Sequence, residues 1–163
     1  MSIEPQPSSF RIALVGSPNS GKTTLFNSLT GSRQKTGNYA GVTVEKREGN
    51  FALNSKQVVH ILDLPGAYSL DARTPDEAIT AEVIQGLRSD EDAPNALVAV
   101  ADCTNIERNL YLVLQLIELK IPTLLALTMS DLARKSGIKI DIPELSKRLG
   151  IPVVLVSARK GTG

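Results

Sequence analysis

The sequence predicts a three-layer α/β domain on a mostly parallel six-stranded sheet with one antiparallel edge strand. Three observations predict it: short apolar runs recur along the chain, helical patterns lie between them, and one polar segment sits too near its successor for a crossover helix. The runs are "FRIALVG" at 10–16, "VVHILDL" at 58–64, "ALVAVAD" at 96–102, "TLLALTM" at 123–129 and "VVLVSA" at 153–158. Runs this short and this apolar suit strands buried on both faces of a parallel sheet. With 163 residues, 42% of them hydrophobic, one domain accounts for the chain.

The first nine residues hold two prolines, three serines and no apolar segment, so they read as a flexible lead-in to a domain spanning 10–163, not as a signal peptide. After the first strand, Leu25, Phe26 and Leu29 mark the inward face of a helix. The polar segment "VEKREGNFAL" at 44–53 pairs with "VVHILDL" as the antiparallel hairpin. Thr74-Pro75-Asp76-Glu77 is a helix start, with a capping threonine, proline in the first turn and glutamate three residues after the cap; the helix runs to about Leu87. "RSDEDAPN" at 88–95 reads as a solvated loop. Ile106, Leu110, Val113, Leu114 and Ile117 fall at helical spacing with a second stripe at Leu112, Leu116 and Leu119, so that helix is expected to be covered around much of its circumference. Asp141 and Glu144 open a final helix that Gly150 stops.

Composition excludes several classes of function. A formal charge of +1 with no long block of either sign offers no nucleic-acid footprint. One cysteine, Cys103, forms no internal disulfide. No apolar run reaches eighteen residues, so these residues alone do not span a bilayer.

"GSPNSGKT", Gly16 to Thr23, directly follows the first strand and opens a helix, the context a G-x-x-x-x-G-K-[ST] phosphate loop needs. Its glycines let backbone N–H groups face an anion, the helix N-terminus adds its dipole, and Lys22 reaches the β- and γ-phosphates. Thr23 offers a hydroxyl to Mg²⁺. "DLPGAYSL" at 63–70 ends a buried strand, placing Asp63 beside that loop to support Mg²⁺ through a water and Gly66 where its N–H meets a γ-phosphate. In "TGNYAGVTVE" at 36–45, Thr43 is placed to complete the Mg²⁺ shell when a γ-phosphate is present and to let go afterwards.

This order of motifs resembles the Ras-like small GTP-binding proteins. Thr128-x-x-Asp131 stands where they carry Asn-x-x-Asp, and "SAR" at 157–159 stands where their last base-contacting loop lies. More narrowly, "NYAGVTVE", "DLPGAYSL", "ADCTNIERNLYLVLQLIEL" and "ELSKRLGIPVVLVSARKGTG" resemble the N-terminal G domain of the FeoB ferrous-iron transporters. The resemblance implies a Ras-like P-loop GTPase domain on the cytoplasmic face of a bacterial inner membrane. It binds GTP and GDP, forms part of a transporter, and is a candidate for homo-oligomerisation. In that family helical and transmembrane domains follow, absent here, and this chain reads as stopping before the fold's last helix.

Carried over residue by residue, the resemblance makes Gly16, Asn19, Ser20, Gly21, Lys22, Thr23, Thr24, Thr43 and Gly66 the phosphate side of the site. Thr128, Met129, Asp131, Ser157 and Ala158 form the base side. Lys22, Asn19, Thr43 and Gly66 serve catalysis, while Thr23 and Thr43 ligate Mg²⁺ with Asp63 behind them. It further implies an activating K⁺ held by Asn19 and by backbone carbonyls of Gly37 and Tyr39. Ala67 stands where Ras-type enzymes place the glutamine that orients water, so slow GTP hydrolysis stimulated by K⁺ is expected. Tyr39-Ala40 replaces the family's usual Trp-Pro. Thr128, shorter than asparagine, predicts weaker nucleotide binding and reduced discrimination against adenine.

Two other functions compete. A soluble Era-type ribosome or tRNA GTPase usually shows D-T-P-G and basic appendages, against D-L-P-G and balanced charge here. A binding module with little turnover is opposed by the intact Lys22, Thr23, Thr43 and Asp63. His60 and Cys103 read as packed residues, Glu77 and Glu82 as solvated helix face, and no His, Cys and carboxylate cluster has metal-ligand spacing.

Overall fold

Every apolar run of the sequence is a strand in the computed structural model, which describes residues 10–31 and 33–163. The lead-in expected at 1–9 lies outside the described residues. In chain order the strands are β1 (Phe10–Gly16), β2 (Gln34–Asn38), β3 (Glu45–Ala52), β4 (Val58–Asp63), β5 (Ala96–Asp102), β6 (Thr123–Thr128) and β7 (Val153–Leu155). They form one sheet in the order β2-β3-β4-β1-β5-β6-β7. β4, β1, β5, β6 and β7 are parallel neighbours, and β3 runs antiparallel to β4 with Arg47 opposite Asp63.

The sheet has one more strand than expected. β2 pairs antiparallel with β3 from Gln34↔Gly49 to Asn38↔Glu45, so β2 is the edge and β3 lies inside it. Its sequence, "QKTGN", has no apolar alternation and four of its five residues are exposed, so backbone pairing alone makes it a strand.

The helices are α1 (Lys22–Thr30), α2 (Pro75–Ile84), α3 (Ile106–Glu118), α4 (Ser130–Lys135) and α5 (Ile142–Leu149). On one face of the sheet Leu25 and Phe26 of α1 pack with Leu14, Ile61 and Val100. On the other, Ile79 and Val83 of α2 and Leu112 and Leu116 of α3 meet Leu62, Leu97 and Leu125. The expected caps are present: Thr74 Oγ1 accepts from the Glu77 N–H at 3.2 Å and Asp141 Oδ1 from the Glu144 N–H at 3.0 Å. Gly150 closes α5 in the left-handed conformation, φ 69°. No helix among the described residues is long and apolar enough to cross a membrane.

This arrangement decides where a ligand can sit. β1 feeds a helix on one face while its neighbours β4 and β5 feed helices on the other. In open α/β sheets the crevice beyond the carboxyl ends of strands at such a reversal is the binding site. Gly16, Asp63 and Thr128 end their strands at that edge.

Candidate nucleotide-binding site

A cleft of about 710 Å³ opens at this edge, lined by Asn19, Gly21, Lys22, Thr23, Thr24 and Gly66 among others. The loop between β1 and α1 is held in shape from below. Ser20 N–H bonds to the Ser17 carbonyl at 3.2 Å, and Ser17 Oγ to Asn109 Oδ1 at 2.6 Å, tying the loop to α3. Gly21 has φ 85°, a left-handed conformation that side chains disfavour, and its missing Cβ lets Thr128 approach. Asn19 and Met129 also have positive φ, 63° and 56°, and both line the cleft. Backbone strain of this kind in non-glycine residues collects at functional sites.

Lys22 is 8% exposed, and its ammonium pairs with Asp63 at the end of β4, itself 5% exposed. Thr23 Oγ1 lies 3.4 Å from the other Asp63 oxygen. A hydroxyl and a carboxylate at a cleft floor are the hard oxygen donors Mg²⁺ takes, so this pair fits that ion. Gly66 passes so close to Pro18 that a Cβ would come within 2.9 Å of its ring, which forces glycine there. Ala67 follows, wholly buried, with its N–H bonded to the Gly16 carbonyl at 3.0 Å. Position 67 therefore faces the core as well as lacking a carboxamide.

The switch segment stands elsewhere. Thr43 is exposed and lines neither the main cleft nor the smaller hollow of about 210 Å³ beside Lys22 and Asp63. Gly37 sits in β2 opposite Lys46, and the Tyr39 carbonyl accepts from the Val42 N–H at 3.3 Å. Asn19 is in the cleft, but the two carbonyls expected to share K⁺ with it are engaged in their own strand and turn. Tyr39 is 2% exposed, with Arg88 stacked 5.4 Å from its ring centre, and burial raises its phenol pKa beyond the usual range. Arg88 donates to the Ala40 carbonyl at 3.1 Å while Asp90 accepts from the Ala40 N–H at 3.1 Å.

At the end of β6, where the sequence predicts the base, Thr128 is 6% exposed, and its hydroxyl donates to the Ser20 carbonyl, with the Ala101 carbonyl 3.2 Å away. Thr128 thus braces the phosphate loop directly through its one hydroxyl. Asp131 opens α4, and its carboxylate is 3.2 Å from the Lys160 ammonium. Ser157 and Ala158 precede that lysine in a loop closed by the Ser157 N–H to the Thr162 carbonyl at 2.8 Å.

A family model described as ferrous iron transport protein B matches residues 10–163. The chain belongs to that family. It is 50% identical over 152 residues to the Fe(2+) transporter FeoB of Salmonella typhimurium, covering 93% of this chain and 19% of that protein. The chain therefore spans about a fifth of the length of the curated relatives it matches. Among solved structures, the S. thermophilus NFeoB E67A mutant bound to GDP superposes with a TM-score of 0.85 at 45% identity, over 94% of this chain and 58% of that one. The cytosolic domain of the T. maritima FeoB iron transporter in its GMPPNP form gives 0.86 at 45% identity, over 94% and 59%. The fold is thus that of the Ras-like FeoB G domains.

Several residues of this FeoB-family site escape sequence reading. Glu77 is 7% exposed, not a solvated helix face, because its carboxylate accepts from the Tyr68 N–H at 3.2 Å and the Arg73 N–H at 3.0 Å. The Arg73 bond foremost holds its pKa below the ordinary glutamate range. Glu45, Arg47 and Asp76 line the hollow beside Lys22 and Asp63; alternation along β3 puts the first two on one face, the one signal in the sequence. "RSDEDAPN" is a loop with Ser89, Asp90, Asp92, Ala93 and Asn95 exposed, as expected, but Glu91, 6% exposed, pairs with Arg11 of β1 and Lys46 of β3.

Proposed function

We propose that this chain is the GTP-binding and GTP-hydrolysing cytosolic domain of a membrane Fe²⁺ transporter, whose nucleotide state regulates iron uptake. The observation that carries the reading is the floor of the cleft, where Lys22 at the start of α1 pairs with Asp63 at the end of β4. A nucleotide's phosphates give Lys22 a counter-charge, and Mg²⁺ gives Asp63 one, so the direct ion pair is replaced and not merely lost. Bound GDP in the S. thermophilus relative and the GMPPNP form of the T. maritima domain support this. Helical and transmembrane domains of the same transporter are the partners, and the cytoplasmic face of a bacterial inner membrane is the location. A second copy of the chain is a further candidate partner.

Mg²⁺ would be held by Thr23, with Asp63 behind it, and would neutralise charge between the β- and γ-phosphate oxygens. Thr43 joins only if the segment around it moves toward the cleft. K⁺ activation through Asn19, Gly37 and Tyr39 requires that same movement, because Gly37 is paired in β2 and the Tyr39 carbonyl is held by the Val42 N–H. With Ala67 buried, no side chain at that position orients water, so turnover is slow and depends on supplied positive charge.

Guanine is preferred through Asp131, which accepts from N1–H and the exocyclic amine. Thr128 spends its one hydrogen on the phosphate loop and has no carboxamide for the base edge, so affinity and discrimination fall. Steady-state phosphate release from GTP, compared in K⁺ and in Na⁺ at equal ionic strength and with Lys22→Ala as control, tests the reading. K⁺ should accelerate turnover and the Lys22 variant abolish it. Equal rates in both salts would remove the cation proposal, and an active Lys22→Ala protein would remove the site.

A further inference from the structure

We propose that Lys160 is a specificity-determining residue that opens the base site to adenine nucleotides by holding one side of the Asp131 carboxylate. The inference rests on the reading of this cleft as a nucleotide site and deepens it. The loop that carries Lys160 is built to present it. Ser157 and Thr162 exchange backbone hydrogen bonds of 2.8 and 3.2 Å, and the Lys160 N–H returns to the Ser157 carbonyl at 3.1 Å. This closed turn sets the ammonium 3.2 Å from Asp131 Oδ1, with the carboxylate side chain 37% exposed and the lysine 60%. Both side chains are therefore reachable from solvent, beyond the residues that line the cleft of about 710 Å³.

The chemistry follows from donor and acceptor counting. An unaccompanied carboxylate presents two acceptors, the complement of guanine's N1–H and exocyclic N2 amine. A carboxylate paired with an ammonium presents an acceptor beside a donor. That is the complement of adenine, whose N6 amine donates and whose N1 accepts. Guanine must then displace the ammonium or give up one of its two bonds, whereas adenine gains a bond it would not otherwise have. Thr128 adds no base-edge group to oppose this, since its hydroxyl is committed to the Ser20 carbonyl.

The test is a titration of fluorescent GDP, ADP and IDP with Mg²⁺ on the chain as it stands and on Lys160→Met and Lys160→Arg. IDP keeps guanine's N1–H and lacks its exocyclic amine, so it reports whether the second carboxylate oxygen is free. In the unaltered chain GDP and IDP should bind within a few-fold of each other and ADP measurably. Lys160→Met should raise the GDP:IDP ratio by about tenfold, the worth of one hydrogen bond to a charged group, and the GDP:ADP ratio by about a hundredfold, because guanine regains a bond and adenine loses one; Lys160→Arg should leave both near their starting values. Ratios unchanged in Lys160→Met, or a loss shared equally by all three nucleotides, would overturn the proposal. Failure of every nucleotide to bind the unaltered chain would instead overturn the nucleotide reading, which keeps the two failures apart.

Discussion

At the scale of single residues, Thr128 decides how the two halves of the site communicate. Its hydroxyl links the end of β6 to the Ser20 carbonyl, so that strand end braces the phosphate loop across more than a hundred residues of sequence. Valine at 128 keeps the shape and removes the donor, leaving the Ser20 carbonyl short of a partner in a buried place. Thr128→Val should destabilise the domain by about 1–3 kcal/mol, read as a lower midpoint in thermal unfolding. It should also weaken GDP binding by about tenfold or more. Thr128→Asn should do the opposite to GDP affinity, because a carboxamide can keep the brace and add a base-edge contact. Equal affinity in all three proteins would show that the brace does not reach the nucleotide. Lys22, Thr23 and Asp63 were legible because a motif spells out their roles, and the structure brings all three together. Lys160 and Arg88 were not, because their partners Asp131 and Ala40 lie 29 and 48 positions away and no local pattern announces the pairing.

At the scale of elements, capping logic located the start of α2 but missed what its glutamate does. Thr74 caps Glu77 as expected, yet the Glu77 carboxylate turns back to hold the Tyr68 and Arg73 N–H groups of the loop after β4. The same loop is fastened to α3, where Gln115 accepts from the Leu70 N–H at 2.9 Å and Arg108 stacks 4.5 Å from the Tyr68 ring centre. A sequence reader sees a charged residue in a first helical turn and assigns it to solvent; only the path of the preceding loop turns it inward. Because folding lowers the Glu77 pKa, the charged form contributes stability above the unfolded-state value of about 4.3, and that contribution fades as pH falls through the folded value. Glu77→Gln should therefore unfold more readily than the unaltered chain at pH 7, by about 1–3 kcal/mol. The gap should narrow below about pH 4. Denaturant midpoints at the two pH values check this, and a gap that stays constant with pH would assign the cost to shape and not to charge.

At the scale of the whole molecule, the sheet was legible except at its edge: the five apolar runs and one hairpin are present, and β2 was invisible because exposed polar residues carry no burial signal. That unseen strand matters to the proposed function, since it begins the segment that holds Thr43, exposed and outside the cleft in this structure. The segment is fastened from the far side by Arg88 and Asp90, which grip both backbone groups of Ala40 while Arg88 covers Tyr39. Arg88 is in turn fixed by Glu82 of α2 at 3.0 Å, so the clamp joins the segment before β3 to the helix after β4. A ligand that recruits Thr43 binds a conformation in which this clamp has yielded, and its apparent affinity is reduced by the fraction of molecules that have not released. Arg88→Ala removes the grip without touching the cleft. The variant should bind GMPPNP with Mg²⁺ about threefold to tenfold more tightly relative to GDP, because only the triphosphate analogue rewards the moved segment. Amides of residues 36–44 should exchange hydrogen faster in the variant with no ligand added, since the clamp accounts for two of their fastenings. If the ratio of the two affinities does not change while exchange accelerates, the clamp only stiffens the segment, and Thr43 takes no part in distinguishing the two nucleotides.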